Sequence, residues 1–487
     1  MIQQGKCWTL GLLMAAVAAG WLQAAERPRN LLIITADDMN WDATGWMGNQ
    51  LGATPRLDDF AKTCHRFVNN HLTAPICQPS REALMTGLVP HRNGGLGFNP
   101  IKPGTPTLVS LLKARGYFAG VIDKHPHMKP DAEFPWDVAL SQSGKSPPLF
   151  RQHMNELLQA AASAGKPFFI NANITDPHRP WPSLDGENAA GVPAAPAKAK
   201  KAAKARRGGG ISDNLARIYK PDEVVVPPFL EDLPAVRHEL AQYYTAVARL
   251  DVTFQGILDA LRAAGHADDT VIVFLSDNGI SLPFAKATVY RNGTHSPVLL
   301  RWPGMGQPET RDEFVSSVDI LPTVLELLAV APPDSVDGRS WLPLLRGESQ
   351  PDRDYAITHV NTVSSGKSFA QRCVRTKDWA LMFHAWPDGT PKFRVEAMSG
   401  LSFNALAEAA KSDARIAARV NQLLVGAPLG LYDQRADPGE RVNLISEEKN
   451  RPEVERLAKL LLTHMERTGD PQTESFRQAL EKWRSGN

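Results

Sequence analysis

Four short segments of this chain concentrate residues that can bind or react. Asp37-Asp38, Asp123-Lys124-His125-Pro126-His127, Asp176-Pro177-His178-Arg179 and Asp277-Asn278-Gly279 each come just after an apolar run. Asp37, Asp38, Asp277 and Asn278 are hard oxygen donors, and three carboxylates sharing a site repel one another unless a cation neutralises them. The set points to a bound divalent metal, with Ca2+ the best match for oxygen ligation. A single Asp after a strand is more often a helix N-cap or an Asx turn. Two such pairs at one sheet edge favour the metal.

A fifth segment, Ile76-Cys77-Gln78-Pro79-Ser80-Arg81, sets a thiol beside a predicted helix start, because the fixed φ of Pro79 suits the first helical position. The positive end of the helix dipole and Arg81 would favour an anion there, either a thiolate or a bound oxyanion. An inert buried thiol is the alternative.

The elements that must position these segments are short apolar runs of the kind that form buried parallel strands, at 31–35, 117–122, 168–173, 271–275 and 297–301. Helical periodicity separates them, at 56–63, 79–88, 107–114, 155–164, 235–264 and 318–330. This alternation predicts an α/β fold on a large, mostly parallel sheet flanked by helices. In such a sheet ligands bind beyond the carboxyl ends of the strands, where the reactive segments fall. After about Gly338 the texture changes. Residues 373–383, 393–395 and 431–433 read as short antiparallel strands and 452–466 as a final helix, giving a smaller C-terminal α+β subdomain over 339–487.

The 487 residues are 43% hydrophobic and 22% charged, ordinary globular usage that disfavours disorder, collagen or a long coiled coil. Lys6 followed by the apolar run 10–22 and Leu22-Gln23-Ala24 reads as a cleavable secretory signal over 1–24, the alternative being an uncleaved anchor. Export to the periplasm or beyond follows, without stable membrane insertion after cleavage. It leaves Cys64, Cys77 and Cys373, of which Cys64 and Cys373 could pair or stay inert. Net charge is +2, yet Lys198, Lys200, Lys201, Lys204, Arg206 and Arg207 lie together in the Ala/Pro/Gly-biased stretch 191–210, so the rest of the mature chain is mildly acidic. That island reads as a solvated insertion or as a lure for a polyanionic substrate. Nucleic acid is disfavoured, since no aromatic residue interleaves the charges.

Cys77-Gln78-Pro79-Ser80-Arg81 followed by Met85-Thr86-Gly87 resembles the signature of the type I, formylglycine-dependent sulfatases. Asp37-Asp38, Lys124, Asp176-Pro177-His178, Ser276-Asp277-Asn278-Gly279 and Lys286 follow in that family's order, and Leu431-Tyr432-Asp433 with Asp437-Pro438 and Asn443-Leu444 is similar to its closing hairpin. Asp176-Pro177-His178-Arg179, Tyr219-Lys220-Pro221-Asp222 through Val226-Pro227, residues 242–247 and Ser276 to Ile280 look nearest to the heparan N-sulfatase (sulfamidase) branch.

The resemblance implies an alkaline-phosphatase-like fold with a catalytic unit over 25–338. It also implies that Cys77, oxidised to formylglycine by a maturation enzyme, hydrates to a diol: one hydroxyl attacks sulfur and the second later expels sulfate. Asp37, Asp38, residue 77, Asp277 and Asn278 would hold Ca2+. Arg81 would hold the diol, Lys124 and Lys286 the sulfate oxygens; His178 would protonate the leaving atom, and His127 would help deprotonate the diol. The family usually reads Gly-Lys-x-His at Lys124, whereas here Asp123 precedes the lysine, Pro126 takes the histidine position, and His125 and His127 flank it; His127 is preferred for the role. Arg179, His125, His295 and His359 are candidate substrate contacts. The implied substrate is a sulfated saccharide of glycosaminoglycan type, with N-sulfoglucosamine foremost. A phosphonate or phosphate monoester hydrolase on the same fold, or an inactive glycan-binding homologue, is the alternative.

Overall fold

The structure is a computed structural model and describes residues 30–184, 216–386 and 392–486. The signal segment 1–24 and the basic stretch 191–210 lie outside the described residues.

Eight strands form the large sheet: β1 (Asn30–Asp37), β2 (His65–His71), β3 (Phe118–Ile122), β4 (Val138–Leu140), β5 (Phe168–Pro177), β6 (Thr270–Ser276), β7 (Val298–Arg301) and β8 (Thr310–Ser316). Their order is β4-β3-β5-β1-β6-β7-β2-β8. All run parallel except β7, which is antiparallel to both β6 and β2. The run at 297–301 is thus a strand as expected, but an antiparallel one.

The apolar runs exist because the sheet is covered on both faces. Along β1, Leu32, Ile34 and Ala36 enter one core while Leu31 and Ile33 enter the other, the period-two alternation of a strand. The first core is closed by α4 (Pro147–Ala164) and α5 (Pro234–Ala263), the second by α3 (Leu108–Lys113) and α6 (Ile320–Leu327), through residues such as Phe254 and Leu112. Ahead of these come α1 (Pro55–Ala61) and α2 (Cys77–Thr86). Helix α2 starts at Cys77, two residues earlier than Pro79 suggested. Pro79 is tolerated there because the first turn's N–H groups have no intrahelical acceptor.

A second, four-stranded antiparallel sheet has the order β12-β11-β10-β9, from β9 (Tyr355–Thr362), β10 (Ser368–Thr376), β11 (Trp379–His384) and β12 (Leu429–Asp433). The expected stretch 373–383 is two strands with a turn between them, and Phe393–Val395 is coil, not strand, with Phe393 and Val395 buried and Arg394 exposed. Helices α7 (Leu401–Ala409) and α8 (Ala414–Leu424) precede β12, and α9 (Arg451–Thr468) is followed by a further helix, α10 (Thr473–Arg484). The last two cover the small sheet through a third core that includes Val374, Leu431, Leu457, Leu461 and Phe476.

Among the described residues, no helix is long and apolar enough to cross a membrane. Cys64, Cys77 and Cys373 are all free and buried, so the pairing of Cys64 with Cys373 does not occur.

Candidate active site at the carboxyl edge of the large sheet

Parallel neighbours β3, β5, β1 and β6 end at one edge, which brings Asp37-Asp38, Asp123-Lys124, Asp176 to His178 and Asp277-Asn278 to a common rim. Helix α2 points its first residue into the same space. Cys77 Sγ lies 3.6 Å from Asp37 Oδ1. From one turn further on, Arg81 donates through Nη2 to Asp277 Oδ2 at 2.6 Å, and through Nη1 to Thr35 Oγ1 at 2.8 Å and to Asn173 Oδ1. Lys124 Nζ pairs with Asp37 Oδ2. Lys286 Nζ lies 2.8 Å from Asp38 Oδ1, and the Asn278 amide donates to the same oxygen at 2.7 Å.

Three buried carboxylates are thus each matched by one cation, with Arg81 on Asp277, Lys124 on Asp37 and Lys286 on Asp38. The mutual repulsion expected from the sequence is relieved by the protein's own charges. Burial raises the Asp37 carboxyl, but Lys124, His178, Arg81 and Lys286 outweigh it and hold the group well below the usual carboxylate range. Asp277 is pushed up to about 6, by burial first and then by Asp37 and Asp38, against Arg81. Burial also pushes the Cys77 thiol well up, so as an unmodified cysteine it is no thiolate.

The residues nevertheless fit a divalent cation. Asp37, Asp38, Cys77 and His178 each offer a ligand atom, all within 4.8 Å of one another. The side-chain amide oxygen of Asn278, Oδ1, is buried and accepts no hydrogen bond among the described residues, a costly state unless a ligand meets it.

His178 stands at the mouth, with Nε2 3.9 Å from both Asp38 Oδ2 and Glu396 Oε1. Its Nδ1 donates to the Arg179 carbonyl at 2.5 Å, which fixes the ring and leaves Nε2 facing the site. Lys145 holds this loop by donating to the carbonyl oxygens of His178 and Pro180, and the Arg249 guanidinium grips Asp176 at 2.6 and 2.9 Å.

Asp123 and Lys124 both have positive φ, 54° and 53°. The Gly-to-Asp departure therefore puts a side chain on a backbone that favours glycine. The single 3-10 turn His125–His127 follows. His127 lies in the field of Lys124, Arg81, Asp37 and Lys286; burial, and then Lys124 and Arg81, push it down to about 3, so it is neutral. His125 sits on the rim, 3.3 Å from Ser141 Oγ. Of the two histidines, His127 is the one that faces the charged cluster.

Three expected substrate contacts are placed otherwise. Arg179 pairs with Glu239 at 2.7 Å and lies over the Trp181 ring at 3.7 Å, leaving its guanidinium committed to the protein. His295 is buried, stacked between Trp41 and His71, with Nε2 on the Val68 carbonyl. His359 is fully buried against His91 and His464. None of the three offers a ring or guanidinium free to meet a substrate.

Sequence reasoning missed two residues here. Asn173 positions Arg81, and its signal was present as one of two asparagines, with Asn171, in the strand run 168–173. Glu396, 3.5 Å from Lys286 Nζ, arrives on the 3-10 turn Glu396–Met398 of the C-terminal region, which no local pattern links to this edge.

Comparison with known proteins agrees with this geometry. The sulfatase family profile matches residues 29–330, and the profile of the N-sulphoglucosamine sulphohydrolase C-terminal region matches 281–389. Human N-sulphoglucosamine sulphohydrolase is 32% identical over 348 residues, 66% of this chain and 67% of that protein. Human arylsulfatase A is 27% identical over 89% of this chain and 86% of its own length. Among solved structures, a 2-O GAG sulfatase superposes with a TM-score of 0.65 at 21% identity, over 92% of this chain and 94% of that one. A protein solved in complex with its substrate D-glucosamine-2-N,6-O-disulfate gives 0.65 at 19%, over 92% and 99%. On the extent of the family match and the identity to the human sulphohydrolase, this chain belongs to the sulfatase family and is a sulfuric ester hydrolase.

Proposed function

We propose that the protein is an exported sulfatase that removes sulfate from a glycosaminoglycan-type saccharide, with the N-sulfate of glucosamine as the preferred group. The observation that carries this is Cys77 at the first turn of α2, buried among Asp37, Asp38, Lys286 and Arg81. The identity to the human sulphohydrolase, named for N-sulphoglucosamine, supports the substrate.

Residue 77 acts as formylglycine, whose hydrate has one hydroxyl to attack sulfur and a second to expel sulfate. Asp37, Asp38, residue 77, Asp277 and Asn278 would hold Ca2+, which supplies charge to the attacking and sulfuryl oxygens. Arg81 is anchored on Asp277 and Asn173 and so fixes the start of α2 that carries the nucleophile. Lys124 and Lys286 supply the positive charge that a sulfate needs, and they lie on either side of Asp37 and Asp38. His178 has Nε2 toward the site and, when protonated, delivers a proton to the leaving nitrogen or oxygen. His127 is neutral and accepts one from the diol. The reading keeps residues 1–24 as an export signal, 25–338 as the unit that carries the chemistry, and 339–487 as the subdomain that adds Glu396 to the rim.

The test is free sulfate released by formylglycine-bearing protein with added Ca2+, from N-sulfoglucosamine and from 6-O-sulfated N-acetylglucosamine in parallel. Release from the N-sulfated sugar is expected, and Cys77→Ala should abolish it while leaving the melting temperature within a few degrees. Sulfate release that survives Cys77→Ala overturns the mechanism. Release from the O-sulfated sugar alone moves the substrate, and phosphate release from a phosphonate or phosphate ester in place of sulfate favours the monoester hydrolase reading.

A further inference from the structure

A second cluster of metal-binding side chains lies where the first and second sheets' regions meet, in residues the reaction does not use. His91 comes from the single helical turn Pro90–Asn93, His359 from β9, and Asp470 from the turn between α9 and α10. One ligand atom from each lies within 4.8 Å of the other two. His91 Nδ1 is 3.8 Å from Asp470 Oδ2, and His359 Nε2 is 3.1 Å from Nε2 of His464 on α9.

His91 distinguishes this cluster from ordinary packing. Its side chain is 4% exposed, yet neither ring nitrogen makes a hydrogen bond of normal geometry among the described residues, although the Thr468 backbone lies beside the ring. A buried polar group left in that state is destabilising, and a ligand removes the penalty. The other groups are arranged to accept one. His359 Nδ1 is 3.4 Å from the Thr73 carbonyl, so with the proton on Nδ1 its Nε2 is a lone pair aimed at His464. Both Asp470 oxygens accept from Arg372, at 2.5 and 2.8 Å, which fixes the carboxylate while leaving Oδ2 a free lone pair. Burial lowers the proton affinity of His91, His359 and His464, and neutral imidazole is the form that ligates.

We propose that His91, His359 and Asp470, with His464 at the partly exposed opening, bind a divalent transition-metal ion, Zn2+ fitting best. Imidazole and carboxylate donors suit Zn2+ and exclude a Ca2+ preference. Bonds of about 2.0–2.1 Å in a tetrahedron place ligand atoms roughly 3.3 Å apart. The observed separations of 3.1 Å between His359 and His464 and 3.8 Å between His91 and Asp470 bracket that spacing. An ion between His359 and His464 takes the place of the proton their Nε2 atoms now share. Arg467, whose side chain is largely exposed, then releases His464 Nδ1, which it contacts at 3.2 Å. The site would staple the turn after α2 to β9 and to the end of α9, a structural role far from bond making.

Calorimetric titration of Zn2+ into the full-length, chelator-stripped protein in excess Ca2+ tests this, with Cys77→Ala as background so that the thiol cannot compete. One Zn2+ per chain is expected, together with a rise of several degrees in melting temperature. His91→Phe should lose that equivalent and the rise while melting near the metal-free value. Should His91→Phe fold poorly, His464→Ala, on the partly exposed side, is expected to weaken Zn2+ at least tenfold. No binding to the parent protein, or equal stoichiometry and affinity in the parent and both variants, would falsify the site.

Discussion

Arg81 sits between two carbonyl or hydroxyl acceptors and one carboxylate, all buried, so both the number and the direction of its hydrogen bonds matter. Lysine retains the charge but cannot span Asp277 and Asn173 together. Arg81→Lys is expected to lower sulfate turnover at least 100-fold, the scale of a lost oriented donor at a charged site, with KM changing far less. It should also cost about 1–3 kcal/mol of stability, because Asn173 or Asp277 is left unsatisfied. Steady-state kinetics and melting curves of the variant check both; an unchanged kcat would reduce Arg81 to a structural tie. The cluster around it was legible because Asp37, Asp38, Lys124, Asp277 and Asn278 each follow an apolar run, and parallel strands must deliver such residues to one edge. The placement of Arg179, His295 and His359 was not legible, for the opposite reason. A charged or imidazole side chain carries no local mark of whether the fold will bury it against Glu239, Trp41 or His464.

Helix α2 shows why elements are only partly legible. All ten of its residues are buried, including Gln78, Ser80, Arg81, Glu82 and Thr86, so no polar face marks it as helix. Pro79 marked its start to within two residues, while its end at Thr86, capped by Gly87, falls two residues short of the expected 88. The polar strand β2, HRFVNNH, was invisible for the same reason, since its Asn and His residues are satisfied by partners distant in sequence, as Asn70 is by the Ser296 carbonyl. Burying Glu82 in α2 has a consequence for pH. Burial pushes its carboxyl up to about 8, against the pull of Gln78, and Oε2 has no hydrogen-bond partner among the described residues. The folded protein therefore holds a proton that the unfolded chain, with a value near 4.5, has lost. Between these two values folding takes up a proton, and stability falls as pH rises, by up to about 1.4 kcal/mol per pH unit. Glu82→Gln keeps the hydrogen-bonding shape without the ionisation. Its melting temperature at pH 8.5 should exceed that of the parent relative to pH 5.5, and parallel pH profiles for the two proteins would sink the assignment.

At the scale of the molecule, the question is whether the two sheets fold as one. The change of texture near Gly338 suggested a boundary, but a Cβ at Gly338 would fall 2.0 Å from the Val318 carbonyl oxygen, so the chain there is packed and not a linker. Beyond it, β9 bonds straight back to the large-sheet region, with the His359 amide donating to Thr73 O at 2.8 Å and the Thr362 amide to Leu96 O at 3.1 Å. Glu440 is the densest tie. Its carboxylate, 1% exposed, pairs with Arg375 on β10 and accepts from the Arg291 amide at 2.7 Å, while its carbonyl accepts from Arg419 at 2.9 Å. No sequence pattern joins positions 291, 375, 419 and 440. Removing the carboxylate strands the buried Arg375 guanidinium, a loss of about 3–5 kcal/mol for a broken buried pair. Glu440→Ala is therefore expected to lower the melting temperature by several degrees and, because the tie spans both sheets, to move a single calorimetric transition as a whole. A variant that instead melts in two steps, the small sheet first, would show that the C-terminal subdomain folds independently and that Glu440 only docks it.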